Sequence, residues 1–136
     1  MERITSFTID HDELVPGFYI SRKDGDITTY DLRTRRPNKG DYMSNADMHS
    51  VEHMFATYIR NSEIADSVIY FGPMGCQTGF YLLVRDVEPK KVFQITKEVL
   101  SQIIAHEGEV FGASAAECGH YENLDLEIAK EECRTY

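Results

Sequence analysis

The chain has few cysteines, and this shortage limits the kinds of site and scaffold it can build. Among its 136 residues only Cys76, Cys118 and Cys133 are cysteines. An odd number with no Cys-x-x-Cys pair provides neither a disulfide framework nor a zinc ribbon. Reduced cysteines that are available for chemistry or metal binding are typical of the cytoplasm, so we expect a cytoplasmic protein.

Basic residues and long apolar runs are also scarce. Lys and Arg total 14 against 23 Asp and Glu, which gives a formal net charge of −9. Because an acidic surface repels phosphate backbones, we expect no general nucleic-acid binding. No apolar run approaches the roughly 18 residues of a membrane helix, and the N-terminus lacks the apolar stretch of a signal peptide. We therefore expect no membrane partner.

The pattern of apolar residues predicts an α+β fold with helices packed on a mainly antiparallel sheet. The predicted strands are residues 18–21, 27–32, 68–71 and 79–84, with a hairpin turn at Lys23–Asp26 and a strand stop at Gly72-Pro73. The predicted helices cover about 46–61, which Ser44 or Asn45 can cap, 89–106 and 124–133. Strands and helices do not alternate regularly, and no repeat or linker divides the chain. We expect one domain over residues 1–136.

The segment His49-Ser50-Val51-Glu52-His53 is the densest chemical signal in the sequence. Residues four apart lie on one face of a helix, so His49 and His53 can hold one divalent metal. Glu52 flanks the same face and is placed to act as a general base. The alternative is a helix on which two histidines align without a metal. H-x-x-E-H is also the inverzincin signature, so a metallopeptidase is a second hypothesis.

Cys118 is a candidate for the third metal ligand. Catalytic metal sites usually keep three protein ligands and one open position, and the neighbouring Gly119 permits close approach. The alternatives are that Cys118 is a small buried apolar residue, or that His120 is the ligand. A set of two histidines and one cysteine suits zinc, iron(II) or cobalt.

Cys76 lies between glycines in the segment Pro73–Gly79, after one predicted strand and before another. Such a turn can expose the thiol, which could then act as a nucleophile or a proton shuttle. The alternative is a tight turn with an inert thiol. Cys133 falls late in an amphipathic helix, and we expect it to serve packing alone.

Several segments occur together in an order that is typical of one enzyme family. They are Ser6–His11, Asp31–Arg33, Pro37–Lys39, His49–His53, Arg60-Asn61, Pro73–Tyr81 and Cys118-Gly119. Over about residues 4 to 130 the chain resembles the S-ribosylhomocysteine lyase (LuxS) family. Pro-Met-Gly-Cys-x-Thr-Gly combined with H-x-x-E-H is a highly specific pair.

The resemblance implies a complete set of site residues. It implies metal ligands at His49, His53 and Cys118, and a general acid/base pair at Glu52 and Cys76. The substrate-pocket positions that it implies are Ser6, His11, Arg33 and Arg60. It also implies one divalent metal per subunit, with iron(II) favoured and zinc or cobalt as alternatives, and a homodimer with two interface sites built from both chains.

The implied reaction splits S-ribosylhomocysteine into homocysteine and 4,5-dihydroxypentane-2,3-dione, the precursor of a quorum-sensing autoinducer. It proceeds by carbonyl migration followed by β-elimination. Two positions depart from the family pattern: many members have a cysteine where this chain has Arg35, and many read Ile-Asp-Ile-Ser where it has Ile69–Gly72. The second departure removes an aspartate at Tyr70 and bears on contacts to the amino-acid end of the substrate. A third hypothesis is a binding module in which a metal only holds the fold.

Overall fold

A β-hairpin forms the first two strands of the described fold. The structure, a computed structural model, describes residues 1–4 and 8–136, so Ser6 lies outside the described residues. Within those ranges the strands are β1 (Gly17–Asp24), β2 (Ile27–Arg33), β3 (Val68–Pro73) and β4 (Gly79–Arg85). The helices are α1 (Asn45–Ile59), α2 (Pro89–Ala105) and α3 (Leu126–Thr135), with short 3-10 helices at Ala65–Ser67 and Tyr121–Asn123.

The four strands form one antiparallel sheet in the order β1-β2-β4-β3. The hairpin predicted at Lys23–Asp26 is confirmed, since β1 and β2 meet there and Gly25 adopts a φ of 61° that suits a glycine in a tight turn. The α+β class with helices on an antiparallel sheet is therefore confirmed.

The predicted stop at Gly72-Pro73 is wrong, because β3 continues through both residues and Pro73 pairs with Phe80. β3 is an edge strand, and a proline on an edge need not break a ladder because its missing N–H can face away from the sheet. The third helix also begins later than predicted. The Asp125 side chain accepts hydrogen bonds from the N–H groups of Glu127 and Ile128, so it caps a helix that starts at Leu126.

One face of the sheet packs against the helices and forms the core. The apolar positions predicted for the first helix, Met48, Val51, Phe55 and Ile59, are all buried. Phe55 stacks on Phe71 of β3 with their ring centroids 4.2 Å apart. α2 and α3 pack against α1 and against each other. Among the helices of the described residues, none combines the length and apolarity needed to cross a membrane.

In residues 1–4 and 8–136 the helices pack on one face of the sheet, and we call the opposite face the outer face. Strand alternation and register place on it Thr29, Asp31, Arg33, Tyr70, Tyr81 and Leu83. Tyr70 is 51% exposed, whereas Asp31 and Arg33 are buried. The outer face therefore combines exposed apolar surface with a buried ion pair.

Candidate functional site

Helix α1 holds the two histidines one turn apart. Its first turn is fixed by a capping box, in which the Ser44 hydroxyl accepts from the Asp47 N–H and the Asp47 carboxylate accepts from the Ser44 N–H. The rings of His49 and His53 have centroids 4.6 Å apart. The predicted pair thus lies on one face of a well-capped helix.

Cys118 joins the histidines from the loop between α2 and α3. Its Sγ lies 3.3 Å from Nε2 of His49. One potential ligand atom from each of His49, His53 and Cys118 lies within 4.8 Å of the others. This is the set found among the described residues that could hold a metal ion, and we call it the metal-binding group. The exposed ring of His120, the alternative ligand, lies outside this group with its centroid 6.5 Å from that of His49. The backbone N–H of His120 instead donates to Cys118 Sγ at 3.4 Å.

Oxygen atoms from outside α1 orient both imidazoles. Nδ1 of His53 lies 2.8 Å from the Phe111 carbonyl oxygen, to which it donates, and Nδ1 of His49 is hydrogen-bonded to the side-chain oxygen of Asn123. A ring that donates through Nδ1 keeps Nε2 unprotonated and able to bind a metal. Two such rings and a cysteine sulfur fit one divalent metal. Neither Asn123 nor Phe111 is predicted as a site residue from the sequence.

Glu52 lies in the same cleft as His53. Glu52 is half-buried, and helical spacing places it next to His53 in this cleft. The other residues that line the cleft are Ala56, Thr57, Tyr70, Phe71, Phe111, Gly112 and Glu117. Gly112 has a φ of 70°, and a Cβ on it would lie 3.1 Å from Nδ1 of His53. A glycine at this position lets the loop approach the metal-binding group closely. We call this space the glutamate cleft.

Cys76 is exposed in the turn between β3 and β4, where it meets a buried polar network. Its Sγ lies 3.0 Å from the Thr78 hydroxyl oxygen and 3.9 Å from Nη1 of Arg33. Arg33, only 1% exposed, also donates to the Thr78 hydroxyl at 2.7 Å and to both carboxylate oxygens of Asp31 at 2.6 and 3.1 Å. Because the Thr78 oxygen accepts from Arg33, its own proton is left to donate to the sulfur.

The other predicted substrate-pocket residues lie in different places. His11 lines the cleft beside Cys76 together with Pro37, Asn38, Tyr42, Gly75, Gln77 and Thr78. We call this space the cysteine cleft. Arg60 donates to the backbone carbonyls of Val68 and Ile69 at 3.4 and 3.1 Å, at the start of β3.

Within one chain, the two predicted proton-transfer residues line separate clefts. Glu52 lies in the glutamate cleft and Cys76 in the cysteine cleft, and the described lining residues of the two clefts do not overlap. Cys133, by contrast, is buried in the core as predicted, and burial raises the pKa of its thiol to about 12. The three cysteines therefore have different environments. Cys118 lies in the metal-binding group, Cys76 is an exposed thiol, and Cys133 packs in the core.

Comparisons with known proteins identify the family of this chain. The family model described as S-ribosylhomocysteinase (LuxS) matches residues 4–136. The S-ribosylhomocysteine lyase of Clostridium beijerinckii is 47% identical over 96% of this chain and 86% of its own length. That of Finegoldia magna is also 47% identical, over the same shares of both chains. That of Borreliella burgdorferi is 44% identical over 100% of this chain and 90% of its own length. The chain belongs to the LuxS family of S-ribosylhomocysteinases.

Proposed function

We propose that the protein is an S-ribosylhomocysteine lyase, which releases homocysteine and 4,5-dihydroxypentane-2,3-dione. The observation that carries this proposal is the meeting of His49, His53 and Cys118 beside Glu52 in a chain of this family. The substrate is the one named for its relatives in Clostridium, Finegoldia and Borreliella. The peptidase hypothesis gains no support from the family match.

The metal ligands in this proposal are His49, His53 and Cys118. One divalent metal held by them would supply a Lewis acid that stabilises negative charge on an oxygen of the sugar. Iron(II) is the metal that the family resemblance favours, and zinc and cobalt(II) suit the same donors. The Nδ1 hydrogen bonds of both histidines support the assignment, since they present Nε2 as the ligand atom.

Glu52 and Cys76 are the proposed proton carriers. To move the carbonyl along the ribose, each step removes a proton from one carbon and returns a proton to its neighbour, with no net oxidation. When the ketone reaches C3, a proton leaves C4, the C5–S bond breaks, and the sulfur departs with the electron pair to be protonated as homocysteine. A carboxylate on one side of the sugar and a thiol on the other can carry these protons.

The polar network around Cys76 supports its role as one of the carriers. When the thiol has given up its proton, the Thr78 hydroxyl and Nη1 of Arg33 can both donate toward the sulfur. Asp31 offsets the charge of Arg33 and holds the guanidinium in place through two hydrogen bonds. We therefore propose that Arg33 acts through Cys76. Ser6, His11 and Arg60 stay predicted substrate-pocket residues.

The proposal includes a homodimer whose two sites each use both chains. The separation of Glu52 and Cys76 into different clefts supports the homodimer, because a site that uses both residues then needs a second chain to supply one of them. The outer face supports it as well. Tyr70, Tyr81 and Leu83 line a largely apolar groove there, with Arg22 at its side, and a second copy could bury it.

Release of thiol from S-ribosylhomocysteine tests the proposal. We expect wild-type protein to release thiol, and Cys76→Ala and Glu52→Gln to lower turnover at least ~10²-fold, the low end for a lost acid or base. Both variants should retain metal, measured by elemental analysis, because neither residue is a proposed ligand. Glu98→Gln, an equivalent change at an exposed position of α2, serves as the matched control and should leave turnover unchanged.

The three hypotheses give different results in these assays. No thiol release by metal-loaded wild type would overturn the lyase function, and cleavage of peptides instead would favour the metallopeptidase. Full turnover in Cys76→Ala or Glu52→Gln would remove that residue from the proposed mechanism. A metal that only holds the fold would leave both variants indistinguishable from wild type.

A further inference from the structure

The loop that follows helix α2 contains the carbonyl group that orients His53. It runs from His106, where α2 ends, to Phe111, whose carbonyl oxygen accepts from Nδ1 of His53 at 2.8 Å. We call residues 106–111 the carbonyl loop. In the middle of this loop Gly108 adopts a φ of 105°, a left-handed backbone conformation that favours glycine. The direction of the Phe111 carbonyl therefore depends on the contacts that hold the carbonyl loop against α1.

A hydrogen bond between Tyr58 and His106 fastens the carbonyl loop to α1. Oη of Tyr58 lies 2.7 Å from Nδ1 of His106, and Nε2 of His106 lies 2.9 Å from the Glu109 carbonyl oxygen. A carbonyl oxygen can only accept, so Nε2 carries a proton, and Nδ1 of the neutral ring is left to accept from the Tyr58 hydroxyl. The His106 ring thus links the helix to the backbone of the loop.

The ring of Phe111 packs against both members of this pair. Its centroid lies 5.3 Å from that of Tyr58 and 4.8 Å from that of His106, and both contacts are edge to face, a favoured arrangement of aromatic rings. All three side chains are half-buried. Phe111 therefore presents its ring to the Tyr58–His106 pair and its carbonyl oxygen to His53.

Helix α1 supplies both the proposed metal ligand and the attachment point of the loop. His53 and Tyr58 are five residues apart on this helix, and the path from one to the other through Phe111 and His106 closes a ring of contacts. Val110, buried in the core, attaches the same loop to the rest of the fold. Loss of the Tyr58 hydroxyl should therefore displace the Phe111 carbonyl without releasing the loop.

We propose that Tyr58 and His106 are positioning residues for the metal, which hold the Phe111 carbonyl where it orients the His53 imidazole. Neither is a proposed ligand, and both act on His53 through Phe111. This inference rests on the proposed assignment of His53 as a metal ligand. The hydrogen-bond partner of a ligating imidazole fixes its tautomer and its orientation, and thereby contributes to metal affinity. A pair of residues that holds this partner in place should have a smaller effect of the same kind.

Competition between the protein and a chelator of known affinity, with cobalt(II) as the metal, tests the inference without measuring turnover. Tyr58→Phe removes one oxygen atom and keeps the ring that packs on Phe111. We expect it to weaken cobalt(II) binding about 5-fold, the equivalent of one ordinary hydrogen bond. We also expect it to shift the visible absorption bands of the bound cobalt(II), because these bands depend on the geometry of the ligands.

Tyr136→Phe is the matched control. The Tyr136 hydroxyl also donates one hydrogen bond of 2.7 Å, to the Gly17 carbonyl at the end of α3, so the same atom and the same kind of contact are lost. This variant should bind cobalt(II) as wild type does. His106→Ala should weaken binding at least as much as Tyr58→Phe. The double variant of Tyr58→Phe and His106→Ala should be no weaker than His106→Ala alone, since the hydroxyl then has no ring nitrogen to lose.

The outcomes separate this inference from the proposed function. Equal affinity of Tyr58→Phe and wild type, a similar loss in Tyr136→Phe, or losses that simply add in the double variant would overturn the positioning role and leave the lyase function intact. Failure of wild type to bind cobalt(II) would overturn the metal assignment and this inference with it. The expected changes in cobalt(II) binding, in a protein that releases no thiol from S-ribosylhomocysteine, would support the positioning role and overturn the lyase function.

Discussion

At the scale of single residues, the metal-binding group depends on an amide that is distant in sequence. Asn123 accepts from His49 through its oxygen and donates to the Asn45 side-chain oxygen through its nitrogen, so each end of the amide has one defined partner. This arrangement selects the tautomer of His49 that leaves Nε2 unprotonated and able to bind a metal.

We predict that Asn123→Ala weakens metal binding about 10- to 100-fold, the usual effect of losing such an outer partner. The measurement is competition with a chelator of known affinity, which does not depend on turnover. Asn61→Ala is the matched control, because the partner of the Asn61 side-chain amide among the described residues is the Thr57 carbonyl of the neighbouring helix α1. Equal metal affinity of Asn123→Ala and wild type would show that the hydrogen bond does not orient the ligand.

Helical spacing predicted that the two histidines would lie together, but it did not predict the groups that orient them. His49 and His53 are four residues apart, so the helix alone brings them together. Asn123 lies 74 residues from His49 and Phe111 contributes a backbone carbonyl, which every residue possesses. Neither has a local pattern in the sequence. The same holds for Thr78, whose contact with Arg33 depends on the pairing of β2 with β4.

At the scale of secondary-structure elements, an ion pair fastens α3 to the loop after β2. Arg35 pairs with Glu132 of α3 and, at 3.4 Å, with Asp41 of its own loop. The side chains of Arg35 and Glu132 are only 14% and 11% exposed, and the Glu132 carboxylate raises the pKa of Arg35. Arg35 is one of the two positions at which the sequence analysis found a departure from the family pattern, and in this chain it forms an ion pair.

We predict that Arg35→Ala lowers the free energy of unfolding by roughly 3 kcal/mol, because it leaves the Glu132 carboxylate without its partner in a largely buried place. Urea unfolding followed by circular dichroism measures the change. Arg85→Ala is the control: its pair with Asp26 has side chains that are 51% and 54% exposed, and should contribute less than about 1 kcal/mol. Similar losses in both variants would refute the special contribution of the Arg35 pair.

The elements themselves were largely predictable, and the errors have local causes. α1 and α2 have apolar residues at helical spacing, and their predicted bounds differ from the observed ones by two residues or fewer. The prediction failed at Pro73, since a proline signals a break in a central strand and the sequence alone does not tell which strand will be at the edge.

At the scale of the whole molecule, Glu52 and Cys76 lie in separate clefts. An experiment can therefore tell whether a site draws these two residues from one chain or from two. In the proposed dimer, one chain supplies Glu52 and its partner supplies Cys76. A mixed dimer of Cys76→Ala and Glu52→Gln chains would then contain one site with both residues intact and one site with neither.

We predict that co-refolding equal amounts of the two inactive variants restores about a quarter of wild-type turnover, since half of the randomly formed dimers are mixed and each has one intact site. Thiol release measures the recovery. Co-refolding each variant with itself is the control and should restore nothing. If every site drew both residues from one chain, the mixed dimers would stay inactive, which would contradict the shared site.

A bound metal would also stabilise the segment between α2 and α3. Residues 106–125 supply Cys118, Asn123 and the Phe111 carbonyl, so one irregular stretch meets α1 at three points of the metal-binding group. Ordering such a stretch costs about 1–2 kcal/mol of backbone entropy per residue, and a bound metal would offset part of that cost by cross-linking its middle to a helix. Metal supply would therefore set how much of the protein survives cellular proteolysis, as well as how fast each molecule works.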